Sequence, residues 1–349
     1  MNDLIDLRSD SVTLPPAGML QAMCQARLGD DVYGEDPTVN SLEAKAAEML
    51  GTEAALLVPS GTMANLLALM AHCPRGTKVL VGERSDLWLW EAGGASVLGS
   101  LVYHPIPTQP NGELAIDDLD AAIFGQDDPQ CAIVRSIAIE NTHCLCGGRV
   151  LTLDYLQRLR GFTHQRGLAL HLDGSRIFNA TVALGLPVQQ IAGYADSVSF
   201  CLSKGLAAPI GSVLAGNGDF IAAARRLRKM VGGGMRQAGV IAAAGIFALE
   251  HMIDRLAEDH ANARRLADGL SSVPGLRLDP ALPETNIVFW SLEEDLGLAV
   301  GTFLSTLERQ GVRVLELGKG RLRAVPHFGI TADQIDRAID VIARAVRQA

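Results

Sequence analysis

The chain has 349 residues, of which 48% are hydrophobic and 20% are charged, and its formal net charge at pH 7 is −9. A chain of this length can bury a large core, and we expect it to fold as two domains. The negative charge argues against a nucleic acid or an anionic membrane surface as the main partner. No apolar run reaches membrane-spanning length and no signal-peptide pattern opens the chain, so we expect a cytoplasmic protein.

Helical and strand patterns alternate along the first two thirds of the chain. Apolar strands are predicted at residues 54–58, 78–81, 101–106, 133–139, 168–172 and 197–202. Helices are predicted at residues 40–50, 62–72 and 153–165, and the first of them ends at Gly51. Apolar strands separated by helices predict an α/β fold with a mostly parallel central sheet and helices on both faces.

The pattern changes after about residue 239. A long helix is predicted at residues 240–271, followed by strands at 286–290 and 321–325 and a last helix at 332–346. These elements predict a smaller α+β domain. We therefore place a large domain at residues 1–245 and a small C-terminal domain at residues 246–349, and the N-terminal segment can join the small domain.

The six cysteines do not indicate a metal or a disulfide. They are Cys24, Cys73, Cys131, Cys144, Cys146 and Cys201. None of them forms the paired spacing that is typical of a structural zinc site. Several lie in apolar strands, where a reduced cysteine packs as a small hydrophobic residue. We therefore predict no metal site.

Two residues at strand ends indicate pyridoxal phosphate (PLP). Lys204 follows the strand at 197–202, and Asp173 follows the strand at 168–172. Burial would lower the pKa of such a lysine and make its amine a nucleophile that can form a Schiff base. PLP needs a lysine for its aldehyde and an acidic residue for its pyridinium nitrogen. Either residue alone is more often structural, but the pair favours PLP.

A phosphate site is predicted where the strand at 54–58 turns into the helix at 62–72. Gly61 and Thr62 open this helix, and free backbone N–H groups at a helix N-terminus bind phosphate. Lys229 and Arg236, on either side of the glycines at 232–234, could add cations. In isolation these features describe only a capped helix start and a glycine-rich loop.

Eight segments resemble, in order, the low-specificity L-threonine aldolases. They are IDLRSDSVT (5–13), GDDVYGEDPT (29–38), PSGTM (59–63), EAGG (91–94), ENTH (140–143), HLDGSRIFN (171–179), FCLSKG (200–205) and GGGMRQAG (232–239). The resemblance runs from about residue 6 to about residue 239 and is weaker beyond it. The family belongs to the fold type I PLP enzymes, and its members are dimers or dimers of dimers with active sites shared between subunits.

The resemblance implies a role for each residue on the cofactor side of the site. Lys204 would hold the cofactor covalently, and Asp173 would pair with its ring nitrogen. The remaining cofactor contacts would come from Arg176 at the ring hydroxyl or the substrate, from Glu91 nearby, from Gly61 and Thr62 at the phosphate, and from Lys229 and Arg236 of the neighbouring subunit at the same phosphate.

The resemblance also implies the residues on the substrate side. Ser9 and Arg323 would hold the substrate carboxylate, and the fork of an arginine suits bidentate binding of that group. Arg321 is the alternative to Arg323. Tyr33 would enter the partner's site, and His143 would lie near the substrate hydroxyl and could accept its proton.

Asp86 departs from the family pattern. The family usually has a histidine here that stacks on the cofactor ring, and an aspartate cannot stack in this way. We count Asp86, with Lys204 and His143, among the catalytic candidates, and Trp88 or Trp90 could cover the ring instead. If Asp86 faces the site, threonine should be a mediocre substrate, and a polar or cationic side chain should be preferred.

These residues predict PLP-dependent cleavage of a β-hydroxy-α-amino acid of the threonine type into glycine and an aldehyde. An amino-acid racemase or a β-eliminating lyase needs the same lysine and aspartate and stays an alternative. A PLP-binding scaffold without turnover is a third reading, but a scaffold has no use for a carboxylate-binding arginine. The expected assembly is a homodimer or homotetramer whose small-molecule ligand is an amino acid.

Overall fold

The computed structural model describes residues 4–348. The strands are β1 (Ile5–Asp6), β2 (Ala54–Val58), β3 (Lys78–Gly82), β4 (Val102–Ile106), β5 (Val134–Glu140), β6 (Ala169–Asp173), β7 (Ser197–Cys201), β8 (Ser212–Gly216), β9 (Leu276–Leu278), β10 (Val288–Leu292), β11 (Val312–Arg313), β12 (Leu315–Glu316) and β13 (Arg321–Ala324). The α-helices are α1 (Ala17–Cys24), α2 (Pro37–Leu50), α3 (Gly61–His72), α4 (Asp86–Leu89), α5 (Gly94–Val97), α6 (Ile116–Ala122), α7 (Leu153–Arg166), α8 (Ile177–Leu184), α9 (Gln189–Ala192), α10 (Gly218–Met230), α11 (Gly239–His251), α12 (Leu256–Ser271), α13 (Val300–Arg309) and α14 (Ala332–Arg347). Short 3-10 helices cover Asp10–Val12, Cys144–Cys146 and Glu294–Leu296. Every helix in the described range is too short or too polar to cross a membrane.

Seven strands form the central sheet in the order β2-β8-β7-β6-β5-β3-β4. Only β8 runs against its two neighbours, and the remaining pairs are parallel. The strands β3, β7 and β8 are buried along their whole length. Continuous apolar runs of this kind form strands that are covered by helices on both faces. The predicted mostly parallel α/β sheet is confirmed.

The parallel strands bring their carboxyl ends to one edge of the sheet. Glu140 at the end of β5 pairs in register with Asp173 at the end of β6, and Asp173 pairs with Ser199 of β7. The loops after β3 and β7 leave from the same edge and carry Asp86 and Lys204. In open α/β sheets this edge is where ligands bind. The topology therefore gathers the chemically interesting residues in one place.

Helix α2 begins earlier than its apolar periodicity predicts. The periodicity starts at residue 40, but the helix starts at Pro37, a residue favoured at the first helical position. The side chain of Asp36 caps it by accepting hydrogen bonds from the backbone N–H groups of Thr38 and Val39. The cap therefore adds a first turn that the apolar pattern does not contain, and Gly51 ends the helix in the left-handed conformation as predicted.

A second, antiparallel sheet lies in the C-terminal part, with the strand order β12-β13-β10-β9. Helices α12, α13 and α14 contribute to a separate apolar core with this sheet. The first strand of the chain joins this part, because β1 pairs in parallel with β11. The domain boundary at residue 245 stays a prediction.

The predicted long helix at 240–271 is wrong, because the structure has two helices there. Helix α11 ends at His251, and α12 begins at Leu256. Neither glycine nor proline marks the break, so the sequence pattern gives no sign of it. Arg255, at the start of α12, forms an ion pair with the buried carboxylate of Asp259 and lies over the ring of Phe328. The ion pair spans one turn of α12, and the contact with Phe328 joins the start of this helix to a distant part of the chain.

Candidate active site

Asp173 ends β6 and is almost fully buried, with 1% of its surface exposed. Its Oδ1 accepts a hydrogen bond from the backbone N–H of Ser175 (3.0 Å), and its Oδ2 accepts one from Nδ2 of Asn65 (2.9 Å). The two bonds hold the carboxylate in a single orientation. A buried acceptor that is fixed in this way suits recognition of a protonated ring nitrogen.

Asn65 is a site residue that the sequence reasoning missed. Its Nδ2 donates a second hydrogen bond, to Oε1 of Glu91 (2.8 Å), so one amide joins two carboxylates. Asn65 lies four residues after Gly61 on helix α3, and residues at this spacing share one face of a helix. That spacing was the available signal for placing Asn65 beside the predicted phosphate site.

Lys204 lies between β7 and β8, in the turn that leaves the carboxyl edge of the sheet. Burial lowers the pKa of its amine. The acidic groups of Cys201, Asp86 and Asp173 raise that pKa by more than burial lowers it, so the net shift is upward. The expectation of a lowered pKa is therefore wrong for the chain as described. That expectation considered burial alone, whereas the strand ends surround this amine with carboxylates.

Asp86 opens helix α4 and belongs to a cluster of four carboxylates with Glu91, Glu140 and Asp173. Burial, followed by the charge of Asp86, raises the pKa of Glu140 well above its usual value. Burial, followed by the charge of Asp173, raises the pKa of Glu91 to about 8. Both carboxyl groups therefore favour the protonated form more strongly than a free glutamate does. Asp86 is partly exposed, and its carboxylate lies within 4.8 Å of the carboxylate of Glu140 and the sulfur of Cys144, so it faces the site.

His143 is buried near Asp86, with 2% of its surface exposed. Burial lowers its pKa to about 4, so the ring is neutral at pH 7, and the charge of Asp86 partly opposes that shift. Its Nδ1 has no hydrogen-bond partner within residues 4–348. A neutral ring with an unpartnered nitrogen can accept a proton when the other nitrogen carries the hydrogen.

Arg176 forms a buried bidentate ion pair with Asp10. Its Nε and Nη2 donate to the two carboxylate oxygens at 2.8 and 2.7 Å, and the two side chains are 4% and 0% exposed. Burial raises the pKa of Asp10, but the charge of Arg176 outweighs it and holds that pKa well below its usual value. Arg176 is thus fixed beside the site, and its contact with cofactor or substrate stays a prediction.

Arg323 lies on β13 and reaches the N-terminal segment that contains Ser9. Its Nη2 donates to the backbone oxygen of Arg8 (3.1 Å), and its Nη1 donates to Sγ of Cys144 (3.3 Å). Its Nε is buried and has no partner in the described part of the chain. A thiol is a weak acceptor, so a substrate carboxylate would be a better partner for this guanidinium.

Arg321, two residues earlier on β13, is engaged elsewhere. Its Nη1 donates to the backbone oxygen of Leu145 (2.6 Å), and its Nη2 donates to that of Asp279 (3.2 Å). Its guanidinium also stacks on the ring of Phe289 at 3.8 Å. These contacts favour Arg323 over Arg321 as the residue that binds a carboxylate.

The N-terminus of α3 forms a cradle of the kind that binds phosphate. Its first N–H groups, from Gly61 and Thr62, have no acceptor within the helix. A Cβ atom at Gly61 would lie 2.8 Å from Sγ of Cys201, 3.7 Å from Oγ of Ser212 and 3.8 Å from Oγ of Ser175. The hydroxyl of Ser212 is buried without a partner among the described residues. The cradle therefore offers unpaired donors around a position that only glycine can occupy.

Lys229 and Arg236 contact groups away from this cradle in the described part of the chain. A Cβ atom at Gly234 would lie 2.9 Å from Cδ of Lys229, so this lysine packs on its own glycine-rich loop. Arg236 forms an ion pair with Asp30 through Nη1, at 2.9 Å. Their assignment to the phosphate of a neighbouring subunit stays a prediction.

Three aromatic residues turn outward from the single chain. Tyr33 is 74% exposed, Trp90 is 59% exposed and Trp88 is 40% exposed, with Trp88 packed edge-on against Tyr103. Their exposure gives no support to the idea that a tryptophan of the same chain covers the cofactor ring. The placement of Tyr33 in a partner's site stays a prediction.

Asp86, Glu140 and Cys144 place possible metal-ligand atoms within 4.8 Å of one another. The carboxylate of Glu140 already accepts backbone N–H groups of Asp86 (3.1 Å) and Cys144 (2.7 Å). The sulfur of Cys144 accepts a hydrogen bond from Arg323, whose charge opposes a cation. The donor set is thus engaged without a metal.

PLP fits the groups that the fold brings together. The amine of Lys204 suits its aldehyde, the oriented carboxylate of Asp173 suits its ring nitrogen, and the cradle at Gly61 suits its phosphate. The buried hydroxyl of Ser212 has no hydrogen-bond partner among the described residues, and the phosphate of PLP would supply one.

Comparisons with known proteins agree with this chemistry. A family model described as beta-eliminating lyase matches residues 6–295. The low specificity L-threonine aldolase of Escherichia coli (strain K12) is 46% identical over 332 residues, covering 95% of this chain and 96% of that protein. The chain belongs to the low-specificity L-threonine aldolase family. Low-specificity L-threonine aldolase 1 of Arabidopsis thaliana is 40% identical and covers 98% of this chain and 96% of its own length.

A solved structure supports the fold. The threonine aldolase of Leishmania major superposes with a TM-score of 0.82 at 21% identity, covering 98% of this chain and 99% of that one. The predicted family is therefore confirmed, and so is the fold type I architecture. The match over almost the full length also extends the resemblance beyond residue 239, where the sequence motifs are weaker.

The buried ion pair between Asp10 and Arg176 should dominate the stability of this region. Replacing Asp10 with Ala leaves an unpaired buried guanidinium, and we expect a loss of about 3–5 kcal/mol in the free energy of unfolding. Asp336→Ala breaks the exposed pair with Arg265 and should cost far less, because solvent screens that pair. Urea unfolding of both variants checks this, and equal losses would contradict it.

Glu91 should make stability depend on pH. The folded protein raises its pKa from 4.5 to about 8, so folding favours the protonated form. The free energy of unfolding of wild type should therefore fall relative to that of Glu91→Gln as pH rises from about 5 to 8, by up to a few kcal/mol. Urea unfolding at several pH values measures this, with the exposed Glu48→Gln as control. A pH-independent difference would show that Glu91 does not carry the proton.

Proposed function

We propose that the protein cleaves a β-hydroxy-α-amino acid of the threonine type into glycine and an aldehyde, with PLP as its cofactor. The observation that carries this proposal is the buried, doubly hydrogen-bonded Asp173 at the sheet edge that also holds Lys204. The family relationship supports the same reaction. The match with threonine aldolases over nearly the whole chain also favours cleavage over racemisation or β-elimination.

The chain's own residues would hold the cofactor at three points. Lys204 would bind the aldehyde covalently, Asp173 would accept a hydrogen bond from the protonated ring nitrogen, and the cradle at Gly61 and Thr62 would bind the phosphate with Ser212. When bound, PLP withdraws electrons from the α-carbon of the attached amino acid, which makes a bond to that carbon easier to break.

Arg323 and Ser9 would fix the substrate carboxylate. The Nε of this guanidinium is buried without a partner, and its Nη1 has only a weak thiol acceptor. The group can therefore donate hydrogen bonds to a carboxylate in a bidentate arrangement. Fixing the carboxylate also fixes the rotation about the bond to the α-carbon. This orientation decides which bond stands perpendicular to the ring and breaks.

His143 would take the proton of the β-hydroxyl group at Nδ1. Its pKa of about 4 keeps the ring neutral before the reaction, and Asp86 stabilises the protonated form that follows. Burial, together with the charges of neighbouring carboxylates, raises the pKa of Glu91 and of Glu140, so both groups retain a proton more readily than a free glutamate does.

We propose a homodimer or homotetramer in which Tyr33, Lys229 and Arg236 reach the site of a second copy. The 74% exposure of Tyr33 is consistent with a position at such an interface. The proposed substrate is a free amino acid, and the proposed location is the cytoplasm.

Lys204→Ala should abolish the visible absorbance of covalently bound PLP and most of the turnover. The reason is that the described site contains no second lysine in the position to replace it. We would measure the absorbance spectrum and the release of acetaldehyde from L-threonine, with Lys45→Ala on the surface of α2 as control. Wild-type absorbance in Lys204→Ala would reject the assignment.

Asp86 should shift the substrate preference towards a cationic side chain. The charge of Asp86 raises the pKa of Lys204 and of Arg176, so it favours positive charge nearby, and a cationic substrate side chain would interact with it in the same way. We expect kcat/KM for 3-hydroxylysine to exceed that for L-threonine by about tenfold, the ratio that corresponds to one ion pair of about 1.4 kcal/mol.

Asp86→His should raise threonine cleavage and reduce this preference, because the charge is removed and a ring that can stack is restored. Asp86→Asn is the matched control, since it removes the charge without supplying a ring, and it should lose the preference without gaining threonine activity. Steady-state kinetics on both substrates decide the question. Unchanged ratios in both variants would leave Asp86 without a role in specificity.

A further inference from the structure

A chain of hydrogen bonds runs through the core behind Asp173. Its members lie on neighbouring elements: His72 at the end of α3, Ser197 on β7, His171 on β6 and Asn65 on α3. His171 and Asp173 are two residues apart on one strand, so their side chains share a face of the sheet. His171 pairs in register with Ser197 of the next strand. The bonds therefore follow from the topology of the sheet.

The amide of Asn65 fixes the direction of the bonds nearest to the site. Its Nδ2 donates to Oδ2 of Asp173 (2.9 Å) and to Oε1 of Glu91 (2.8 Å), which uses both amide hydrogens. Its Oδ1 must then accept, and it lies 2.8 Å from Oγ of Ser199 and 3.0 Å from Nε2 of His171. His171 therefore donates from Nε2.

The rest of the chain follows from this donor. Burial lowers the pKa of His171 to about 3, so the ring is neutral and its Nδ1 accepts from Oγ of Ser197 at 2.8 Å. Oγ of Ser197 then accepts from Nε2 of His72, also at 2.8 Å. Burial lowers the pKa of His72 to about 4, so this ring is neutral as well. Every donor in the chain thus points towards Asp173.

We propose that His171 is a positioning residue that keeps the amide group of Asn65 turned towards Asp173 and so sets how tightly Asp173 holds the ring nitrogen of PLP. The inference rests on the proposed function, because it requires that ring at Asp173. Without the Nε2 donor, the oxygen of Asn65 loses one of its two donors. The amide can then rotate, and its oxygen would face two acidic groups.

The role differs from that of an ordinary buried hydrogen bond. His171 is fully buried, and its two ring nitrogens bond to Asn65 and Ser197, so its link to Asp173 runs through Asn65. A structural role predicts that its loss lowers stability and nothing else. A positioning role predicts that its loss changes the affinity for PLP and kcat, and leaves KM for the amino acid nearly unchanged.

Three substitutions at one position separate these roles. His171→Gln can place an amide N–H near the position of Nε2, whereas His171→Asn is too short to reach Asn65 and His171→Leu has no donor. We expect Leu and Asn to weaken the binding of PLP about tenfold and to lower kcat about tenfold, with KM for L-threonine within about twofold. The Gln variant should stay within about threefold of wild type for all three quantities.

The control is Tyr155→Phe, which removes a buried hydroxyl that bonds to the backbone of Leu114 on a different part of the core. It should lower Tm without changing the spectrum or the affinity for PLP. The affinity is measured by titrating PLP into each protein after cofactor removal, and the absorbance spectrum of the reconstituted enzyme is recorded alongside Tm and kinetics.

The outcomes are distinct. Wild-type affinity and spectrum in the Asn and Leu variants would overturn the inference, and so would a Gln variant as impaired as Leu. If Leu does not fold, the comparison of Gln with Asn decides in the same way. A wild-type protein that binds no PLP would overturn the proposed function and this inference together, whereas a PLP-binding wild type with unaffected variants overturns only the inference.

Discussion

Repulsion between carboxylates at the carboxyl edge of the central sheet is the constraint on which the site depends. The parallel topology directs Glu140 and Asp173 to one edge, and the following loops add Asp86 and Glu91. Four negative charges in a buried space would be strongly unfavourable. The pKa values of Glu91 and Glu140 rise in response, which favours their protonated forms, and Asp173 accepts two hydrogen bonds.

The two cations of the site, Arg176 and Lys204, also lie next to acidic groups. Asp10 neutralises Arg176 through two short hydrogen bonds, and the pair is buried as a unit. Burial and the charge of Arg176 lower the pKa of Lys204, but the acidic groups around this lysine outweigh both, and the net shift is upward. The same negative surroundings oppose the deprotonation that a nucleophilic amine needs. An anionic cofactor at the cradle of α3 would bind close to these positive and negative groups.

The sequence predicts the features that depend on local pattern. Apolar strand runs predict the parallel sheet, and the positions of Asp173 and Lys204 after such runs place them at one edge, as the structure confirms. It does not predict contacts between a helix face and a strand. Asn65 belongs to no motif by its type, and only the packing of α3 over β6 brings it to Asp173. The break between α11 and α12 is likewise not marked by a helix-ending residue.

The part of the site that we propose binds the substrate carboxylate is built from the two ends of the chain. Strand β1 pairs with β11, and Arg323 donates to the backbone of Arg8, 315 residues earlier. Contacts of such separation form late and slow the folding of a chain. During synthesis Gly61, Asp173 and Lys204, which are proposed to hold PLP, leave the ribosome well before Arg323 does. A nascent chain therefore contains its own groups for the cofactor before it contains the arginine proposed to bind an amino acid, and the two parts come together only when the C-terminal strands meet the N-terminal segment.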